Sequence, residues 1–398
     1  MREGDRVFDE VSWERLRERR SAKWRRFPAD VLPSWIAEMD FPLAAPVKRV
    51  LREAVERDDT GYAYFDGFGD AVAAFLGERL KWDVDPADVS ALPDVMAGVM
   101  ESLRLLTRPG DGVVINTPVY PPFFSTIASA ERRVVEVPLA RDGDGYRLDL
   151  DAMEAAFAAG ARGYLLCSPH NPTGVVFTPA ELDAVAALAR RHDVVVIADE
   201  IHAPLTLAGA TFTPYLTATQ AAPRAVALTS ASKAFNLPGL KCAALVVADA
   251  DMLAMSERIP LETRYRTGLF GVLATTAAFA EAGPWLDDLL GYLDGNRRLV
   301  ADLLAEHLPQ ARYVAPQATY LAWIDLAAYD LRPDPAGLLL ERGRVAVTAG
   351  PDFGRPGEGF IRLNFATSRA LLTETVERIA RAVNGGQPIA RPTASSRP

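Results

Sequence analysis

The sequence predicts an α/β fold, with a mostly parallel sheet layered by helices and joined to a smaller α+β domain. Three observations carry this. Short runs of Val, Ile, Leu and Ala recur through the middle of the 398-residue chain. Amphipathic helical patterns separate those runs, and after about residue 285 the texture changes. A chain of this length suggests about two to three domains rather than one core.

The strands come first. GVVINTPV (112–119), RVVEVPL (133–139), GYLLCSP (163–169), DVVVIADE (193–200), RAVALTS (224–230) and CAALVVAD (242–249) are near-continuously apolar. Alternation is absent, so both faces of each strand are expected to be covered, as in a parallel sheet. Between two of them Thr178-Pro179-Ala180-Glu181 opens a helix. Thr178 is the N-cap, Pro179 takes the first helical position, and Glu181 completes a capping box. Leu182, Val185, Ala186 and Ala189 then share one face. Past residue 285 a long helical pattern, 285–308, leads to YLAWIDL, RVAVTAG, FIRLNFA and a last helix over 368–384. These boundaries give an N-terminal segment (1–50) that joins the small domain, a large domain (51–285) and a small C-terminal domain (286–385). The Pro/Ser-rich tail 386–398 has little to bury and is expected to be disordered.

Composition excludes several functions. A formal net charge of -9 argues against nucleic acid or an anionic membrane as partner. The opening MREGDRVFDEVSWERLRERR is charged throughout, unlike a secretory leader, and no run of 18 uncharged apolar residues occurs. Cys167 and Cys242 lie in apolar runs, as buried free thiols do, which suits a reducing cytoplasm. Phosphate-loop, dinucleotide, serine-hydrolase and zinc-protease signatures are all missing. With four histidines and two cysteines at scattered spacings, no structural zinc site is expected. His192 and His307 stand beside charged residues at helix ends and belong on the surface.

The polar signals collect at strand ends, where an open parallel sheet forms its ligand crevice. SPHNPTG follows one strand, ADEIH closes the next, and SASK follows a third. Lys233, crowded by Ala and Phe, is either a snorkelling or carboxylate-paired lysine or a nucleophilic Schiff-base lysine. Asp199 and Glu200 are either an N-cap or loop carboxylates, or a place where an anion is kept beside a heterocyclic nitrogen. Asn171 is either a turn residue or an amide donor to a phenolate oxygen.

Asn-Pro-Thr-Gly, then Asp, then Ser-x-x-Lys, each at a strand end, resemble in order and spacing the signatures of fold-type-I pyridoxal-phosphate enzymes, the aminotransferase class I/II superfamily. The resemblance implies that Lys233 carries pyridoxal 5'-phosphate covalently. It implies that Ser230 and Lys241 bind the phosphate, with Ser232 as a further candidate. Asp199 becomes the partner of the ring nitrogen and Asn171 the donor to the phenolate oxygen, Asn171 also facing the substrate carboxylate. His202 falls near the same oxygen. Val95 and Met96 open the helix whose main-chain amides receive the phosphate, although PDVM replaces the small-residue turn usual there. Tyr120 in TPVY corresponds to the aromatic that stacks on the ring, and counts with Lys233 among the catalytic residues. Tyr62 resembles a tyrosine that reaches the phosphate of a neighbouring subunit, which implies a homodimer with shared sites. Arg362 in IRLNFATSR resembles the arginine that clamps the substrate α-carboxylate.

WIAEMDFP (35–42) and DEIH look like the MalY/PatB-type cystathionine β-lyases, or C–S lyases, with His-Ala-Pro at 202–204 departing from the usual polar-acidic pair. The implied activity is α,β-elimination of cystathionine or another cysteine S-conjugate to a thiol, pyruvate and ammonia. An aminotransferase uses the same residues and is the alternative. A pyridoxal-phosphate protein acting as a regulator is the lesser one.

Overall fold

The computed structural model describes residues 7–143, 145–218, 224–331 and 333–385; the expectation of a disordered tail at 386–398 lies outside them. The chain divides into two compact units, Leu43–Leu290 with Gln317–Thr319, and Met1–Pro42 with Gly291–Pro316 and Tyr320–Pro398.

The larger unit is built on seven strands: β1 (Val89–Leu92), β2 (Gly112–Ile115), β3 (Arg133–Glu136), β4 (Ala161–Cys167), β5 (Val195–Asp199), β6 (Ala225–Thr229) and β7 (Ala243–Val246). They lie in the order β1-β7-β6-β5-β4-β2-β3. Pairing is parallel from β6 through to β3, while β7 runs against both of its neighbours. All five residues of β5 and all five of β6 are buried, as strands covered on both faces require.

Each observed strand except β4 is shorter than its apolar run. Gly112–Val119, for example, is ladder only through Ile115; beyond it Thr117, Pro118 and Val119 are buried without being strand. Apolar character reports burial, and only backbone pairing ends a strand. β1 was not foreseen, because Val-Ser-Ala-Leu is four residues long and only half buried.

Helix α1 (Val95–Leu106) packs on this sheet so tightly that a Cβ on Gly98 would stand 2.4 Å from Leu228 of β6. Helix α2 (Pro179–Arg191) starts with the expected capping box: Thr178 Oγ1 accepts from Glu181 N at 3.2 Å, and Glu181 Oε2 accepts from Thr178 N at 2.8 Å. His192 caps the end of α2 and His307 ends the helix Gly283–His307, both partly buried rather than fully at the surface. Cys167 and Cys242 are free and buried.

The smaller unit holds an antiparallel sheet of β8 (Arg312–Tyr313), β9 (Leu321–Asp325), β10 (Thr348–Ala349) and β11 (Phe360–Asn364), in the order β8-β9-β11-β10. Beside it Leu32–Pro33 pairs in parallel with Val345–Ala346. Helix Arg369–Val383, N-capped by Ser368, buries Leu372, Val376 and Ile379. Among the described residues no single helix is long and apolar enough to cross a membrane, and no cluster of three or more His, Cys, Asp or Glu side chains could hold a metal.

Candidate active site

Three neighbouring strands of the larger unit lead into the polar residues that the sequence motifs single out. Cys167 pairs with Asp199, and Asp199 with Leu228, so the last residues of β4 and β5 are level with the end of β6. Each of these strands leads into a buried stretch bearing polar side chains.

After β4 the chain makes a knotted turn. The Asn171 amide donates to Cys167 Sγ at 3.4 Å, and Gly174 N donates to the His170 carbonyl at 2.7 Å. His170 locks this turn to the end of β2: its Nε2 lies 3.1 Å from the Asn116 carbonyl and its Nδ1 3.0 Å from Thr173 Oγ1. A carbonyl only accepts, so Nε2 carries the proton and Nδ1 accepts from the threonine hydroxyl. Burial holds His170 neutral and pushes its pKa down to about 4. Asn116 is fixed in turn by Tyr164, whose hydroxyl donates to Asn116 Oδ1 at 2.7 Å. Nothing in the sequence pattern singled out this lock.

After β5 come two buried carboxyls. Burial raises the Asp199 pKa to about 6, opposed by the Ile201 amide, which donates to Oδ1 at 3.1 Å, and by the charge of Lys233. Glu200 is pushed up to about 8, chiefly by burial, while its Oε1 accepts from Tyr215 N at 2.7 Å. His202, also buried, precedes the single turn Ala203–Leu205.

After β6 the SASK stretch is not a loop but one helical turn, α3 (Ala231–Ala234), with Ser230 as its N-cap. Ser230 Oγ accepts from Ser232 N at 3.0 Å and donates to the Cys242 carbonyl at 2.7 Å. Lys233 sits in this turn, only partly buried.

Lys241 is not buried. Its side chain is 56% exposed, and its φ of 59° is left-handed. It reaches Asp94 Oδ2 at 3.1 Å, and Asp94 is the N-cap of α1, accepting from Ala97 N at 2.8 Å. Lys241 therefore stands at the start of α1, where the first-turn amides of Val95 and Met96 have no acceptor within the helix. Beneath this loop Gly268 N donates to the Lys241 carbonyl at 3.2 Å, and a Cβ on Gly271 would meet the Leu240 carbonyl at 2.3 Å. The glycine admits the backbone of the Lys241 loop, a requirement invisible in the sequence.

Tyr120 is partly buried and packs edge-on to Phe123. Tyr62 is not gathered with the others in the unit: it is 85% exposed, 5.7 Å from the ring of Tyr265. Tyr64, Phe65 and Leu261 are exposed as well. Arg362 belongs to the smaller unit, on β11. Its Nη2 donates to the Trp35 carbonyl at 3.0 Å and to Thr348 Oγ1 at 3.2 Å, and its guanidinium lies 4.9 Å from the centre of Phe353.

The donor set suits pyridoxal phosphate. A helix start beside a lysine is chemistry for a phosphate dianion. A buried carboxylate suits a cationic ring nitrogen, which would hold Asp199 ionised against its burial. Lys233 bears the amine that such a carbonyl cofactor requires.

The family model for aminotransferase class I and II matches residues 37–379. The chain belongs to that family. A Mycobacterium leprae relative that carries the provisional name cystathionine beta-lyase is 47% identical, over 94% of this chain and 98% of its own. Cystathionine beta-lyase PatB of Bacillus subtilis is 32% identical, over 89% of this chain and 93% of its own. Among solved structures, the pyridoxal-phosphate-bound C–S lyase of Staphylococcus hominis superposes with a TM-score of 0.88 at 26% identity, covering 94% of this chain and 98% of the other.

Proposed function

We propose that this chain is a pyridoxal-phosphate-dependent C–S β-lyase that cleaves cystathionine or another cysteine S-conjugate. The carrying observation is the buried Asp199 with Lys233 as its cationic neighbour, in the same unit as the α1 start where Lys241 meets Asp94. When bound, pyridoxal phosphate supplies an electron sink for the negative charge that develops at Cα.

The chain's own residues do the rest. Lys233 would hold the cofactor through its amine, and that amine, once free, would take the Cα proton as general base. Asp199 accepts a hydrogen bond from the ring nitrogen and keeps it protonated. Asn171 donates to the phenolate oxygen, with His202 near it and Tyr120 against the ring. Lys241 and the Val95 and Met96 amides bind the phosphate, Lys241 exchanging Asp94 for a stronger anion. Ser230 would join them by releasing Cys242; Ser232, in the same turn, is the other hydroxyl candidate. Arg362 takes the α-carboxylate through its planar fork. The thiolate leaves from Cβ, and one water is consumed as the remainder becomes pyruvate and ammonia.

The reading includes a homodimer. Tyr62, Tyr64, Phe65, Leu261 and Tyr265 are exposed, and the rings of Tyr62 and Tyr265 lie 5.7 Å apart; a second subunit would cover such residues, with Tyr62 reaching the partner's phosphate. It also includes a cytoplasmic location, supported by two free cysteines. The purified enzyme should absorb near the visible edge, lose that band in Lys233→Ala, and release thiol and pyruvate from cystathionine. Conversion of the cofactor to its amine form by amino acids, without pyruvate release, would instead make it an aminotransferase.

A further inference from the structure

The segment Trp35–Phe41 of the smaller unit has so far figured only as a sequence signature. In the structure it is an irregular strap, mostly buried, that follows Leu32–Pro33 and has no strand ladder of its own. Buried carbonyls outside regular structure must find donors. Here side chains provide them almost residue by residue.

The Trp35 carbonyl accepts from Arg362 Nη2 at 3.0 Å and from Thr348 Oγ1 at 2.5 Å. Asn364 Nδ2 donates to the carbonyls of Ile36 and Glu38, at 2.7 and 2.8 Å. Lys23 Nζ donates to the Glu38 carbonyl at 2.9 Å. Arg19 spans the carbonyls of Met39, Asp40 and Phe41, at 3.1, 2.8 and 3.3 Å. Lys23 is 2% exposed and lies 2.8 Å from Asp40 Oδ1, an ion pair close in distance though not aligned as a hydrogen bond. A buried lysine is costly unless paired; this one also lies 5.8 Å from the centre of the Trp24 ring, but its hydrogen bond and its ion pair both go to the strap.

The consequence falls on Arg362. A guanidinium is a rigid plane, so fixing one nitrogen against Trp35 and Thr348, with the group over Phe353, sets the direction of the whole fork. We propose that Arg19, Lys23 and Asn364 are positioning residues for the amino-acid carboxylate: by holding the 35–41 strap they set the Trp35 carbonyl that aims Arg362. This rests on the reading that Arg362 binds the substrate α-carboxylate. The class of ligand is an α-amino acid, and the strap acts on its binding rather than on the chemistry at Cβ.

The test uses the full-length holoenzyme. Lys23→Met with Asp40→Asn removes both charges and strands neither. It should raise KM for cystathionine about tenfold, since small misplacements of a positioning group are felt strongly. The kcat should stay within about twofold, the signature of lost binding common to ground and transition states. Spectral titration with L-alanine, which has the carboxylate and no leaving group, should weaken by the same factor. Hydrogen exchange at the 35–41 amides should quicken, with the cofactor band unchanged. Arg19→Gln is the second variant, covering the case in which the first does not fold, and should move KM in the same direction. Unchanged KM and L-alanine binding in a folded variant whose 35–41 exchange has quickened overturns the proposal. Arg362→Lys separates the two ideas. If it raises KM and the strap variants do not, only the positioning role falls; if it leaves KM unchanged, the carboxylate reading falls and takes the positioning role with it.

Discussion

Gly271→Ala should weaken cofactor binding although residue 271 is not itself among the proposed cofactor-binding residues. Gly271 lies in the third position of helix Leu269–Glu281. An alanine in a helix normally stabilises by up to about 1 kcal/mol relative to glycine. Here the added methyl would stand 2.3 Å from the Leu240 carbonyl and 3.0 Å from that of Lys241. Both are backbone atoms, so no rotamer change relieves the overlap, and the loop must move by roughly 1 Å to reach ordinary contact. Overpacking of this kind costs ~1–3 kcal/mol, which exceeds the propensity gain, so the protein should be slightly less stable. The larger effect falls on Lys241, whose carbonyl is also tied to Gly268 N. A charged hydrogen bond contributes ~1.5–3 kcal/mol. Lys241 is more than half exposed, so the low end applies, and the affinity for pyridoxal phosphate should fall about tenfold. Titrating cofactor-free protein while following the visible band measures this directly. A variant with a lowered melting temperature but unchanged cofactor affinity would refute the link between the Lys241 loop and the phosphate.

Other consequences come from the same geometry. Glu200 has its pKa raised by burial from 4.5 to about 8, so the folded state keeps a proton that the unfolded chain releases. Its contribution is present below about pH 4.5 and is lost as pH rises through 8, on the order of 4–5 kcal/mol in all. Melting temperatures of cofactor-free protein should therefore fall from pH 5 to pH 8, and Glu200→Gln should flatten that slope; equal slopes would count against a neutral Glu200. His170 has the opposite sign: its pKa is lowered from 6.5 to about 4, so stability is lost as pH falls through that window. His170→Phe, which removes both of its hydrogen bonds, should cost roughly 2–3 kcal/mol in urea unfolding. Cys167 and Cys242 are both buried with thiol pKa values pushed up by desolvation. Neither should react with a thiol reagent at neutral pH until the protein unfolds, and rapid labelling of the native protein would contradict their burial.

The sequence by itself determined the layered α/β fold, because near-continuous apolar runs separated by capped amphipathic helices admit few other arrangements. It also determined which strand ends lead into polar side chains. The capping box of Thr178 with Glu181 was legible in the same way, whereas the helical turn that Ser230 caps was not. Only the tertiary structure decided how those residues are held. The His170–Asn116 contact spans 54 positions, Lys241–Asp94 spans 147, and Arg362–Trp35 spans 327. No local pattern encodes such pairs, since each depends on where two distant backbones come to rest. Exposure was decided there too. Lys241 has apolar neighbours in the chain, yet its side chain is 56% exposed, on a backbone with a left-handed φ of 59°. The strap at 35–41 is the fullest case: its residues read as a signature, but the side chains that satisfy its carbonyls come from positions 19, 23, 348, 362 and 364.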